Sequence, residues 1–175
     1  QNRYLGVLTD GAEWHVYQLI DGDLHRVSGI EVDPRSPDVD GLIVWLESVL
    51  ATGEGITPSP LEIARRLGAG SPAHGLDSSE LAAIYAAHRE LPTVQVKRGL
   101  WAKLLTTALG TNFVDSDALF VDHTLLVAMA EIIRHSVVGF HPEDPTVSAS
   151  TIMSGALFSQ ARIGGVVEAD FFDWI

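Results

Sequence analysis

The spacing of the hydrophobic residues changes once along the chain, near residue 33. Between residues 3 and 31 apolar and polar side chains alternate, which is typical of β-strands with one buried face. Asp-Gly pairs at 10–11 and 21–22 mark turns between the alternating runs. The pattern therefore predicts a small antiparallel β-meander over residues 1–33, with strands near 3–9, 13–20 and 24–31.

From residue 38 onward the hydrophobic residues recur with the period of an α-helix. About six helical segments follow one another, near 39–53, 59–68, 77–91, 96–110, 117–135 and 147–162. Glycine or proline stands at or near the end of most of them, for example Gly53 and Gly68. The predicted fold is therefore mainly α, with a helical domain over residues 38–175 behind the meander.

Several helix details can be predicted from local residue order. Ser59, Pro60 and Glu62 form a capping box, in which Ser59 caps the helix and Pro60 occupies its first position. The apolar faces predict the core positions of three helices. They are Leu42, Trp45, Leu46, Val49 and Leu50; Leu100, Trp101, Leu104, Leu105 and Leu109; and Leu119, Phe120, Leu126, Met129, Ile132 and Ile133.

The segment PLEIARRLGAGSPA, residues 60–73, is similar to the first helix and turn of a helix-turn-helix. That motif needs a second helix after a turn of a few residues. Here residues 69–77 are predicted to be a long loop, and the next helix opens with the acidic residues Asp77 and Glu80. We therefore do not expect a DNA-reading helix at this place.

Composition limits the class of protein. The chain has 175 residues, 46% of them hydrophobic, and no cysteine. It can bury a core, and it has neither a disulfide framework nor a cysteine-based zinc site. No apolar run is long enough to span a membrane. The chain begins with Gln1 and has no signal-peptide pattern, so we expect a cytoplasmic fragment of a longer protein.

The net charge of −12 argues against a free-standing nucleic-acid binder. Residues 65–103 are the exception, with six basic and three acidic side chains. This segment is either an ordinary solvated surface or a patch that contacts DNA phosphates. The candidate backbone contacts are Arg65, Arg66, Lys97, Arg98 and Lys103.

Four polar residues interrupt the apolar helix predicted over residues 117–135: Asp122, His123, Glu131 and His135. Glu131 and His135 are four residues apart, a spacing at which two side chains can share a metal. His123 lies about 12 Å along the axis from Glu131, at 1.5 Å per residue, so one ion cannot bind all three. We expect a core helix in which His123 makes a structural polar contact, and we expect no metal ligand.

Four segments carry a resemblance to a known family. YLGVLTDGAEWHVYQL, residues 4–19, resembles the last strands of the nuclease-like domain in type IIG-like restriction-modification proteins that carry an N6-adenine DNA methyltransferase. GLWAKLLTTALG, DALFVDHTLLVAMAEII and GVVEADFFDWI resemble, in the same order, the helical segment between the nuclease-like and methyltransferase domains. The most specific pieces are LFVDHTLLV and ADFFDW.

The resemblance implies a connector without a catalytic centre. In that family the nuclease residues precede the first of these segments, and the methyltransferase motifs follow the last. Mg²⁺ and S-adenosylmethionine are therefore implied for the parent protein only, and no catalytic, cofactor-binding or metal-binding residue is assigned here. The implied partners are the two flanking domains and, through the parent, DNA. Two alternatives stay open: a small metal-dependent hydrolase using Glu131, His135 and another carboxylate, and a stand-alone interaction module.

Overall fold

The computed structural model describes residues 5–20, 22–50, 57, 59–142, 144, 146–164 and 171–175. Its fold is mainly helical, with a three-stranded antiparallel sheet before the helices, as the sequence predicts. The elements are β1 (Leu5–Thr9), β2 (Glu13–Ile20), β3 (Asp23–Glu31), α1 (Val39–Leu50), α2 (Pro60–Leu67), α3 (Pro72–His88), α4 (Pro92–Leu109), a 3-10 turn (Gly110–Asn112), α5 (Asp117–Val137), α6 (Ala149–Met153) and α7 (Ala156–Gln160).

The sheet is a simple meander with the order β1-β2-β3. Asp10 stabilises the first turn, because its Oδ1 accepts hydrogen bonds from the backbone N–H groups of Ala12 and Glu13. Gly11 has a φ of 94°, which only glycine adopts readily. Between β2 and β3 the register shifts by one residue, leaving Val27 as a bulge. The second Asp-Gly pair includes Asp21, which lies outside the described residues.

One face of the sheet and α1 together form a small hydrophobic core, here called the sheet core: Val16, Trp45 and Val49, with Trp14, Ile30, Leu42 and Leu46 packed around them. The prediction that Leu50 is buried is wrong, because Leu50 is 64% exposed. It lies about 140° around the helix from Trp45, at 100° per residue. The predicted stop at Gly53 lies outside the described residues.

The start of α2 is as predicted, whereas the start of α3 is not. The Ser59 hydroxyl accepts a hydrogen bond from the Glu62 backbone N–H, and Gly68 caps the C-terminus. The long loop predicted over residues 69–77 is wrong, because α3 begins at Pro72. Ser71 caps it by accepting from the His74 N–H, so a Ser-Pro pair acted as a helix start rather than as a loop signal.

The second core is built from α3, α4, α5, α6 and the C-terminal segment 171–175, and we call it the aromatic core. Phe120 is fully buried at its centre, within 6 Å of the ring centres of Tyr85, Trp101, Phe172 and Trp174. Ser116 caps α5 through the Leu119 N–H. Ala169 and Asp170 of the ADFFDW segment lie outside the described residues.

Besides Leu50, five residues predicted to be buried are exposed. They are Leu100, Leu104, Leu109, Leu126 and Ile132. On α4 the buried side chains are Val94 and Trp101. Leu100 is 100° around the helix from Trp101. The face of α4 that carries Leu100 therefore points away from the core. The weak helix predicted over 147–162 is two short helices, separated at Gly155, whose φ is 66°.

The chain divides into two compact units, residues 1–80 and 81–175. The first contains the sheet core, α1 and α2, and the second contains the aromatic core. Residues 72–80 of α3 belong to the first unit and residues 81–88 to the second. Among the described residues, no helix combines the length and hydropathy that a membrane crossing requires.

Candidate functional site

Two of the five basic residues proposed to contact DNA lie in the first unit, on α2. The Arg66 guanidinium bonds to Glu62 at 2.8 Å and to Glu47 at 2.9 Å, and the side chain is largely covered. These hydrogen bonds raise the pKa of Arg66 and lower that of Glu62. Arg65 makes a looser contact to Glu62, at 3.5 Å. Of the two, Arg65 is the more available to an external phosphate.

Lys97 and Arg98 on α4 bind acidic residues of the second unit. Lys97 pairs with Asp173 of the C-terminal segment. Arg98 pairs with Asp115 and Asp117 at the start of α5. Its guanidinium carbon also lies 4.8 Å from the centre of the Trp101 ring, a cation–π contact. Both side chains therefore join α4 to its neighbours.

Lys103, the third basic residue of α4, is exposed and forms no ion pair with any residue in the described part of the chain. Of the five candidate residues, Lys103 and Arg65 thus keep a charge that an external anion can reach. The other three already have carboxylate partners within their own unit. The sequence shows the basic residues, but their partners lie on other elements and become visible only in the fold.

His123 makes its polar contact with the aromatic core. The Trp101 indole N–H donates to His123 Nδ1 at 3.2 Å, and the two rings meet edge to face. Thr124, the next residue, is fully buried and accepts from the Trp174 indole N–H at 3.1 Å. Two indole donors, from α4 and from the C-terminal segment, are therefore satisfied by neighbouring residues of α5.

Glu131 and His135 are both buried in α5. His135 Nδ1 lies 2.6 Å from the backbone oxygen of Glu131, so Nδ1 carries the proton and Nε2 is left as an acceptor. Glu131 Oε1 contacts Arg134 at 2.5 Å. In the described part of the chain, Glu131 Oε2 and His135 Nε2 have no hydrogen-bond partner. Within the described ranges, no three metal-ligating side chains come together.

A shallow recess of about 260 Å³ lies at the β1–β2 turn and is lined by Leu8, Thr9, Asp10, Glu13 and His15. His15 Nε2 contacts Glu13 Oε2 at 3.0 Å, an imidazole–carboxylate pair of the kind that can move a proton. Two backbone N–H groups donate hydrogen bonds to the Asp10 carboxylate and lower its pKa. The Thr9 hydroxyl oxygen accepts from the Gly11 N–H. No nucleophile lining this recess is held against the imidazole.

The connection between α2 and α3 has the length of a helix-turn-helix turn, since only residues 68–71 separate the helices. A long loop after α2 therefore does not exclude the motif. The burial of the second helix does. Every residue from 71 to 81 is buried or half-buried, whereas a recognition helix needs an exposed face to enter the major groove.

β1 is exposed along its whole length. It is an edge strand, paired with β2 alone among the described strands. Its five residues, LGVLT, carry no charge and no proline, although charges and prolines are the usual protection of a sheet edge. The alternating pattern predicts this strand, but only the strand order shows that it lies at an edge.

α4 has a second apolar surface on the side away from the aromatic core. Val96, Leu100 and Leu104 follow one another at intervals of four residues and are each more than half exposed. The helical period predicts Leu100 and Leu104 to lie in the core, which is wrong for both. α4 therefore has two apolar faces, one buried and one exposed. The sequence shows both faces but does not show which of them is buried.

Searches against family models, curated proteins and solved structures match this chain to none of them. The candidate surfaces therefore have to be interpreted from their own geometry.

Proposed function

We propose that this chain is a non-catalytic helical connector of a DNA restriction-modification methyltransferase, which positions a nuclease-like domain and a methyltransferase domain on DNA. The observation that carries the proposal is the uncharged, exposed β1 at the edge of a three-stranded sheet. An edge of this kind pairs readily with another strand. In a connector, a strand of the preceding domain would cover it.

The segment that resembles a nuclease-like domain, residues 4–19, includes this same strand. The resemblance and the edge position are independent observations, because the first uses residue identity and the second uses strand order. Both favour a sheet that continues into a neighbouring domain.

The proposed contribution to DNA binding is small and independent of base sequence. It depends on Lys103 and Arg65, whose charges are accessible, and phosphate contacts of this kind weaken as salt rises. The test is duplex-DNA binding by the parent protein at rising salt, with Lys103→Ala and Arg65→Ala. Unchanged binding and an unchanged salt slope in both variants would remove this part of the proposal.

The connector itself is tested by the natural reading frame. We expect a domain with nuclease-like strands upstream and adenine-methyltransferase motifs downstream. In the full-length protein, Val7→Lys should loosen the upstream junction, which limited proteolysis near β1 would detect. Glu13→Lys, on the paired strand β2, is the matched control. A reading frame with neither flanking domain would contradict the proposal.

A metal-dependent hydrolase is the second candidate, favoured by the unpartnered atoms of Glu131 and His135. A histidine that donates Nδ1–H to a carbonyl presents Nε2 as metal-binding histidines do. Calorimetric titration with Zn²⁺ or Mn²⁺ distinguishes the candidates. Tight stoichiometric binding that is lost in His135→Gln would favour the hydrolase and contradict a connector-only function.

A further inference from the structure

The exposed stripe of α4 has the geometry of a helix-docking surface. Val96, Leu100 and Leu104 are 60%, 51% and 52% exposed. They span about 12 Å along the axis, at 1.5 Å per residue. Their spacing of four residues forms a ridge that packs into the groove of a second helix. Gly99 lies beside the ridge, and an added Cβ there would meet nothing within 4 Å.

The charge around this ridge is opposite to that of the chain as a whole. α4 contains three basic residues and no acidic residue, while the chain carries a net charge of −12. Lys97 and Arg98 have carboxylate partners within the second unit. Lys103, between Leu100 and Leu104 in sequence, keeps an accessible charge beside the ridge.

We propose that α4 docks an amphipathic helix whose apolar face is flanked by acidic residues, supplied by the second domain that the connector joins. This inference rests on the proposed function, since a connector needs a surface for its second neighbour. Acidic residues on the partner pair with Lys103 as the apolar faces meet. A second copy of this chain fits less well, because pairing α4 with itself brings together two like-charged ridges from two strongly acidic chains.

The probes are two synthetic amphipathic helices of about 20 residues with the same leucine face, one flanked by glutamate and the other by lysine. We expect the acidic helix to bind the chain about threefold more tightly than the basic one, the range of one exposed ion pair. Lys103→Glu should reverse this preference. Leu100→Glu should weaken binding of the acidic helix at least tenfold, since it places a charge at the centre of the contact.

Leu126→Glu is the matched control, because Leu126 is likewise an exposed leucine, on α5, and it should leave binding unchanged. Equal binding of both probes, or equal loss in both variants, would overturn the proposal. Unfolding of Leu100→Glu by circular dichroism would do so as well, because an exposed position tolerates the charge. A dimer in sedimentation that Leu100→Glu disperses would assign the surface to a second copy.

Failure of this inference can be told apart from failure of the connector proposal. The connector depends on the reading frame and on the β1 junction, neither of which involves α4. Loss of helix docking with an intact β1 junction would leave a connector that uses a different second surface.

Discussion

The two hydrophobic cores of the molecule differ in the hydrogen bonding of their buried polar atoms. In the aromatic core, the indole N–H groups of Trp101 and Trp174 donate to His123 and Thr124. The Tyr85 hydroxyl likewise donates to Asp117 at 3.1 Å. The donors at the centre of this core therefore have partners from another element of the same unit.

In the sheet core, Trp14 Nε1 and Trp45 Nε1 are buried and have no hydrogen-bond partner among the described residues, and the same holds for Gln18 Oε1 on β2. Each unpaired buried group costs about 1–3 kcal/mol. The indole and hydroxyl donors of the aromatic core are thus paired, whereas the two indole N–H groups of the sheet core have no partner among the described residues. The buried unpaired atoms of the second unit, Glu131 Oε2 and His135 Nε2, belong to residues outside the aromatic core. The sheet beside these unpaired indoles is also the one whose edge strand β1 carries no charge and no proline.

The largest expected effect is the loss of stability when the side chain at the centre of the aromatic core is truncated. Phe120→Ala should destabilise the second unit by about 3–5 kcal/mol, because a fully buried ring leaves a cavity among four aromatic side chains. Urea denaturation followed by tryptophan fluorescence measures it. Leu126→Ala, at an exposed position of the same helix, should change stability little. A loss below about 1 kcal/mol in Phe120→Ala would show that this core is not closely packed.

A pair of glycines tests the packing of α3 on the sheet. An added Cβ at Gly75 would lie 2.7 Å from the Val27 backbone oxygen, so Gly75→Ala should cost about 1–3 kcal/mol. Gly99→Ala, in the open on α4, should instead stabilise by up to about 1 kcal/mol through helix propensity. Thermal unfolding of both variants is the measurement. A stabilised Gly75→Ala would mean that α3 does not approach β3 so closely.

The bounds of the helices follow from the sequence only in part. The helical period and the capping residues predict α2 and α5 to within a few residues, whereas α4 begins at Pro92, four residues before its predicted start. The start of α3 was missed because Ser71-Pro72 serves equally in a loop or at a helix N-terminus. The close approach of Gly75 to β3 depends on the bulge at Val27, and no local pattern shows where another strand will lie.

The polar atoms give a more direct test of the contrast between the cores. Thr124→Val should destabilise by about 1–2 kcal/mol, because it leaves the Trp174 N–H without its acceptor. Gln18→Met should be neutral or stabilising, because it removes an acceptor that has no partner. Chemical denaturation of the two variants compares them. A destabilising Gln18→Met would show that Gln18 has a partner in solution, which would remove the contrast.

The smallest expected effects are at the two extremes of pH. Burial, and then the hydrogen bond to Asp117, raises the pKa of Tyr85. Its contribution to stability is complete below the pKa of an unfolded tyrosine, about 10, and is lost as pH rises through the folded pKa. Tyr85→Phe should abolish this alkaline loss in the second unit, as measured by thermal unfolding between pH 9 and about 11.

The pKa of Asp10, in the first unit, is shifted in the opposite direction from that of Tyr85. Backbone hydrogen bonds from Glu13 and Ala12 lower its pKa. The stability it contributes is present above the unfolded value, about 3.9, and is lost as pH falls through the folded pKa. Asp10→Asn should flatten the acid side of the stability curve and leave the alkaline side unchanged. An equal change on both sides would rule out this local origin.

The sequence by itself determined the class of fold, since a period of two followed by a period of 3.6 specifies strands and then helices. It also determined the cap of α2, since Ser59 acts on a backbone group three residues away, whereas for α5 the structure selects Ser116 from the neighbouring candidates Asp115, Ser116 and Asp117. The tertiary structure decided which apolar stripe of α4 is buried, which basic residues keep an accessible charge, and that β1 lies at an edge. These features depend on partners distant in sequence, and the periodicity of one element carries no information about which neighbour will cover it.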